Sequence, residues 1–176
     1  NIKIDDYSFQ GSDKIGKIKL SSKYISIFNF CFHNCSSLRT IDLFSTEKLF
    51  LGFRAFCKIK NFCDININSH NELKIDNECF YESSIQTVVI RGKTISIGTK
   101  CFSKSSIKSL TILSDDNITL DNSAYEDCKK LEIVKLHSTN HIEIFEFCFC
   151  NAINLISLEI FGKYVFAGKS CFENCK

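Results

Sequence analysis

Aliphatic and polar residues alternate in short bursts along the chain, as in Ile25-Ser26-Ile27, Leu49-Phe50-Leu51, Leu73-Lys74-Ile75, Ile95-Ser96-Ile97 and Ile142-Glu143-Ile144. That period of two marks short, half-buried strands. Five residues after each burst stands an aromatic preceded by a small residue: Ser8-Phe9, Cys31-Phe32, Ala55-Phe56, Cys79-Phe80, Cys101-Phe102, Ala124-Tyr125, Cys148-Phe149 and Cys171-Phe172. The aromatics are spaced by 23, 24, 24, 22, 23, 24 and 23 residues. So regular a period identifies stacked repeats, because one such unit cannot bury its apolar side alone.

Aligned on the aromatic, a second apolar trio follows it: Ile15/Ile18/Leu20, Leu38/Ile41/Leu43, Phe62/Ile65/Ile67, Ile85/Val88/Ile90, Ile107/Leu110/Ile112, Leu131/Val134/Leu136 and Leu155/Leu158/Ile160. It starts six residues after the aromatic, but five after Phe80 and Phe102. Each unit therefore reads as strand, tight turn, second strand and loop. The stretch Phe28 to Ser36 has room for one or two helical turns. Loops are expected at Asn68-Ser69-His70-Asn71 and Asp115-Asp116-Asn117 from their turn-forming composition. The expected fold is a solenoid with two short parallel strands and a short helical turn per unit. About seven units and a truncated eighth fill residues 1–176 as one domain.

The eleven cysteines change the picture only in part. Eight fall in two columns: one just before the aromatic (Cys31, Cys79, Cys101, Cys148, Cys171) and one three after it (Cys35, Cys128, Cys175). Their column-mates are mostly Ser and Ala, so the position asks for a small, weakly polar side chain facing the core. A disulfide framework is the lesser reading; Cys79/Cys101 and Cys148/Cys171 would be its adjacent-coil pairs. Zinc at Cys31-Phe32-His33-Asn34-Cys35 is weaker, for no second ligand pair stands at finger-like spacing.

Composition is that of a folded chain: 44% hydrophobic, 24% charged and a net charge of +2. That balance argues against a nucleic-acid partner. No apolar run is long enough for a helical membrane span. Proline, methionine and tryptophan are absent. Without an initiator methionine, the chain is expected to be a segment of a longer protein. No phosphate-binding loop, dinucleotide fingerprint, HExxH or nucleophile elbow occurs. His33 beside Cys35 sketches a base and a thiol nucleophile, but Cys35 occupies a core column. The expectation is no catalytic residue, no metal and no cofactor.

A ligand would then meet the outward columns of the second strand. One reads Lys19, Asp42, Asn66, Val89, Thr111, Lys135, Glu159; the next reads Ser21, Phe44, Asn68, Arg91, Leu113, His137, Phe161. They vary while the inward columns do not. Phe44, Leu113 and Phe161, with Val89 and Ile133 nearby, are expected to be exposed and favour a protein ligand. The candidate binding residues are Asp42, Phe44, Asn66, Arg91, Leu113, Lys135, His137, Glu159 and Phe161. Two glycosylation sequons, Asn34-Cys35-Ser36 and Asn117-Ile118-Thr119, each have a core residue in the middle.

The stretch Phe30-Cys31-Phe32-His33-Asn34-Cys35-Ser36-Ser37-Leu38-Arg39-Thr40-Ile41-Asp42-Leu43 resembles the BspA-like class of leucine-rich repeat. The resemblance spans essentially the whole chain. One departure is the proline which that class usually places after the second strand; here Ser, Phe, Asn, Arg, Leu or His stands there. The resemblance implies a right-handed leucine-rich solenoid and a non-enzymatic, adhesin-like surface protein of bacteria or anaerobic protists. It would bind host-cell, matrix or microbial proteins. The alternative is an intracellular scaffold, which unpaired thiols favour. A third reading places an enzymatic site in a flanking region.

Overall fold

A computed structural model describes residues 1–61 and 63–175. The strands are β1 (Ile2–Ile4), β2 (Lys17–Ile27), β3 (Thr40–Leu51), β4 (Cys63–Ile75), β5 (Ile85–Ile97), β6 (Ser109–Leu120), β7 (Ile133–Ser138), β8 (His141–Ile144), β9 (Ser157–Phe161) and β10 (Tyr164–Ala167). Every pairing is parallel. The chain coils so that each segment pairs with its counterpart one unit on. Ile18, Ile41, Ile65, Val88, Leu110, Val134 and Leu158 thus form one continuous row. This is a parallel β-solenoid of the leucine-rich-repeat type. Phe62, expected in the apolar trio, lies outside the described residues.

Two expectations need correction. The first concerns the loops. In β2 to β6, the second strand of one unit runs on into the first strand of the next. Asn68 to Asn71 therefore lie within β4, and Asp115 to Asn117 within β6. Only the last two coils keep the strands separate, as β7 and β8, then β9 and β10. Asn68 and Ser69 pair with the coils on both sides and Asn117 pairs with Thr94, whereas His70, Asn71, Asp115 and Asp116 form the bend between paired residues. Neighbouring coils thus override the weak strand preference of Asn at the edges of the corner. The corner is instead satisfied by a buried serine. The Ser45 hydroxyl lies 2.8 Å from the Lys23 carbonyl, on the preceding coil, and 2.9 Å from that of Lys48. Ser69 stands likewise toward Glu47 and Glu72, Ser114 toward Lys93 and Asn117, and Ser138 toward Asp116 and His141.

The second correction concerns the helical turn. Among the described residues there is no helix. The residues two before and two after each aromatic hold positive φ, as at Lys100 (φ 53) and Lys104 (φ 59) around Phe102. Left-handed residues interrupt any helix. The backbone donors alternate instead. Cys101, Ser103 and Ser105 N–H donate back within the turn to Gly98, Lys100 and Phe102. Lys100, Phe102 and Lys104 N–H donate to Asn122, Ala124 and Glu126 of the next coil, at 3.1, 2.7 and 2.9 Å. Neighbouring coils thus hold a backbone that isolated residues disfavour.

Inside the turns the aromatics form a spine. The rings of Phe9, Phe32, Phe56, Phe80, Phe102, Tyr125, Phe149 and Phe172 stack at centroid distances of 4.8 to 5.3 Å, nearly coplanar in orientation. That interval matches the spacing of about 4.8 Å between paired strands. Phe56, Phe80, Phe102, Tyr125 and Phe149 are fully buried. The Tyr125 hydroxyl is buried with no hydrogen-bond partner among the described residues. In the last coil, β9 and β10 are covered on one side only. Leu158 (44%) and Val165 (48%) are accordingly exposed although their columns are apolar.

Candidate functional site

Strand alternation puts residues two apart on the same face, and the register does the rest. Lys19, Asp42, Asn66, Val89, Thr111, Lys135 and Glu159 lie side by side across β2 to β7 and β9. Ser21, Phe44, Asn68, Arg91, Leu113, His137 and Phe161 form the adjacent outward row. All nine candidate residues thus share one outward surface.

Its two ends are knit together. Asn66 donates its side-chain amide to Asp42 at 3.0 Å, and Lys19 stands 3.9 Å from the same carboxylate. Lys135 pairs with Glu159 at 2.8 Å, and His137 Nε2 lies 3.7 Å from the other oxygen of Glu159. The hydrogen bond from Lys135, aided by the Lys135 charge and by His137, holds the Glu159 carboxyl below its usual range. Phe161 (62% exposed) meets His137 edge to face at 4.8 Å. Phe44 and Leu113, expected to be exposed, are half-buried. Phe44 packs edge to face with His70, 5.0 Å between centroids. Between the knit ends, Arg91 projects with no ion-pair partner among the described residues. Beside it lies a depression of about 320 Å³ lined by Asn68, His70, Arg91, Gly92, Leu113 and Asp115.

The cysteines take no part in this surface. All eleven are free, so neither Cys79/Cys101 nor Cys148/Cys171 is bridged. Burial pushes Cys31 and Cys57 up to about 11 and Cys63 and Cys128 up to about 12, with Cys79, Cys101 and Cys148 well above the usual thiol value. A nucleophilic thiol needs the opposite shift. Cys35 is also raised by burial, and His33 is lowered by burial and by Lys58 and Arg54. The shift at Cys35 disfavours its thiolate. The column three after the aromatic has a definite task. Cys35, Cys128 and Cys175 donate Sγ–H to the carbonyls of Phe9, Phe102 and Phe149 at 3.2 to 3.3 Å, and Ser83 does so to Phe56 at 2.9 Å. Among the described residues no group of three His, Cys, Asp or Glu side chains could hold a metal ion. No helix among them is long and apolar enough to cross a membrane.

The sequence reading missed His70 and Asp115, because both were assigned to loops. The signal was present in the spacing. From the last apolar residue of the second strand to the first of the next, the chain takes 5, 6, 6, 5, 6, 6 and 5 residues (Leu20–Ile25 through Ile160–Val165). That alternation sets which corners protrude. Of the sequons, Asn34 is exposed at a turn, whereas the Asn117 side chain accepts the His141 N–H at 3.2 Å.

Comparison with known proteins gives one positive result. The BspA type leucine-rich repeat region matches in six copies over residues 1–102 and 50–176. No curated protein and no solved structure gives a significant match.

Proposed function

Because the chain belongs to the BspA-type leucine-rich repeat family, we propose that it is a non-enzymatic protein-binding module of adhesin type, one solenoid domain whose ligand meets the outward face of the second strands. The family is one of protein-interaction repeats and is associated with surface or secreted proteins. Leucine-rich repeat solenoids typically serve as binding scaffolds. The observation that carries the reading to this face is its composition. Asp42, Phe44, Asn66, Arg91, Leu113, Lys135, His137, Glu159 and Phe161 vary in chemistry over a backbone of constant register. A surface protein of a host cell, matrix or microbe is the partner this reading names.

Site-specific photo-crosslinking tests it. A photoreactive residue is placed at Thr111 on this face, at Glu143 on the first-strand face, or at Lys104 beside the aromatic turn. Crosslinks to one ligand from Thr111 alone are expected, weakened when Asp42, Lys135 and Glu159 are reversed in charge together. Equal crosslinking from all three positions would sink the reading. Eleven free thiols favour a second reading, an intracellular scaffold, since reducing compartments keep thiols unpaired. Labelling of intact cells with a membrane-impermeant reagent separates the two: labelling supports the adhesin, and recovery from cytosol alone supports the scaffold.

A further inference from the structure

Hollows in a stacked repeat form where unit length changes. The unit from Phe80 to Phe102 is the shortest, at 22 residues. Its corner, Gly92-Lys93-Thr94, has one residue between Gly92 and Thr94. The corners beside it are longer: Ser69-His70-Asn71-Glu72 before it and Ser114-Asp115-Asp116-Asn117 after it. The register shifts on both sides of Gly92 to absorb the difference. Two long corners flanking a short one leave the depression of about 320 Å³.

The contents of this notch differ from the rest of the face. Lys19, Lys135 and His137 each stand within 4 Å of a carboxylate. Arg91 lines the notch, is exposed, and has no such partner among the described residues. Asp115 lines the same notch without forming an ion pair with it. His70 is held in place by its edge contact with Phe44. Leu113 adds apolar surface beside the guanidinium. A planar fork of N–H donors recognises a carboxylate with two parallel hydrogen bonds. An aliphatic neighbour suits a short methylene stem.

We propose that this notch is the anchor point of the protein-binding face and receives a glutamate side chain of the partner, its carboxylate on Arg91 and its methylenes against Leu113. The proposal rests on the protein-binding reading of that face, but its test needs no partner. The probes are N-acetyl-glutamate methylamide and its glutamine counterpart, titrated into the isotope-labelled full chain and followed by NMR. The glutamate probe is expected to shift the Arg91 Nε–H and Gly92 amide signals saturably, about tenfold more tightly than the glutamine probe. Arg91→Ala should abolish that response, and Arg91→Lys should weaken it by about tenfold, since a point charge replaces the fork. Arg91 is exposed, so both variants should keep the wild-type amide spectrum elsewhere.

Equal response to the two probes, equal shifts at the distant Lys14 and Lys169 amides, or an unchanged response in Arg91→Ala would each overturn the proposal. A glutamate-specific response with no crosslinking from Thr111 would leave the notch standing and remove the face as a protein interface. Crosslinking from Thr111 with no response at Arg91 would do the reverse.

Discussion

The turn around Phe102 and the corner at Ser114 bend the same coil by different means. The turn is filled by a stacked ring, lined by thiols and hydroxyls, and held in left-handed backbone at Lys100 and Lys104. The corner is held by one hydroxyl between two carbonyls. The turn keeps its pattern in every coil; the corner gains or loses a residue from coil to coil. The difference is one of packing. A ring stacked on both sides fixes its position along the solenoid. A corner that fills little volume can change length at small cost, and changes of length make surface relief. Packing is thereby concentrated at the turns, and surface relief at the corners.

High pH should break the turns first. The folded state raises Cys31 and Cys57 to about 11 and Cys128 to about 12, from a usual value of about 9. The stabilisation from keeping these thiols protonated is complete below the unfolded value. It is lost as pH rises from about 9 through 11 to 12, because the unfolded chain releases the protons first. Each thiol contributes a decline of about 1.4 kcal/mol per pH unit across that window. Urea midpoints measured from pH 7 to 11 check this. A flat profile would deny that the thiols are buried in the turns, whereas corner serines do not titrate there and add nothing to the slope.

Phe102→Ala should cost about 3–5 kcal/mol, the usual loss for a buried phenylalanine. Chemical denaturation measures it, and a loss below about 1 kcal/mol would take Phe102 out of the spine. At the corner, Ser69→Ala should cost about 1–3 kcal/mol, because the carbonyls of Glu47 and Glu72 lose a buried donor. A Ser69→Ala loss equal to that of Phe102→Ala would erase the contrast between the bends. The smallest effect is a gain. Lys100→Gly relieves a positive φ and should stabilise by about 0.5–1 kcal/mol in thermal denaturation after offsetting the extra chain freedom. Lys93→Gly, at the short corner where φ is not positive, should give no such gain.

The repeat, the inward columns and the shared surface of the nine candidate residues were legible because side-chain alternation and constant spacing are local properties. Asn68 to Asn71 and Asp115 to Asn117 read as open loops because their composition favours turns in isolation, while neighbouring coils pair Asn68, Ser69 and Asn117 and leave only a tight bend between them. The helical turn was misread for the same reason: alternate N–H groups find carbonyls on the next coil instead of four residues back. The corner serines Ser45, Ser69 and Ser114, which are buried, and Ser138, which is half-buried, resembled ordinary loop residues until their carbonyl partners were in place. For the site, the sequence named Arg91 and Leu113 but not the His70 and Asp115 that complete the notch.

The amino-acid sequence by itself determined the period, which residues point inward, and the membership of the repeat family, for each depends on spacing within one unit or on its recurrence. Only the tertiary structure decided that strands fuse across the corners, that the turns are left-handed at Lys100 and Lys104, that Glu159 is shared by Lys135 and His137, and that Arg91 has no carboxylate partner among the described residues. Those outcomes depend on the distance between atoms one coil apart. The stacking of neighbouring units brings such atoms together, and small differences in unit length decide which of them meet.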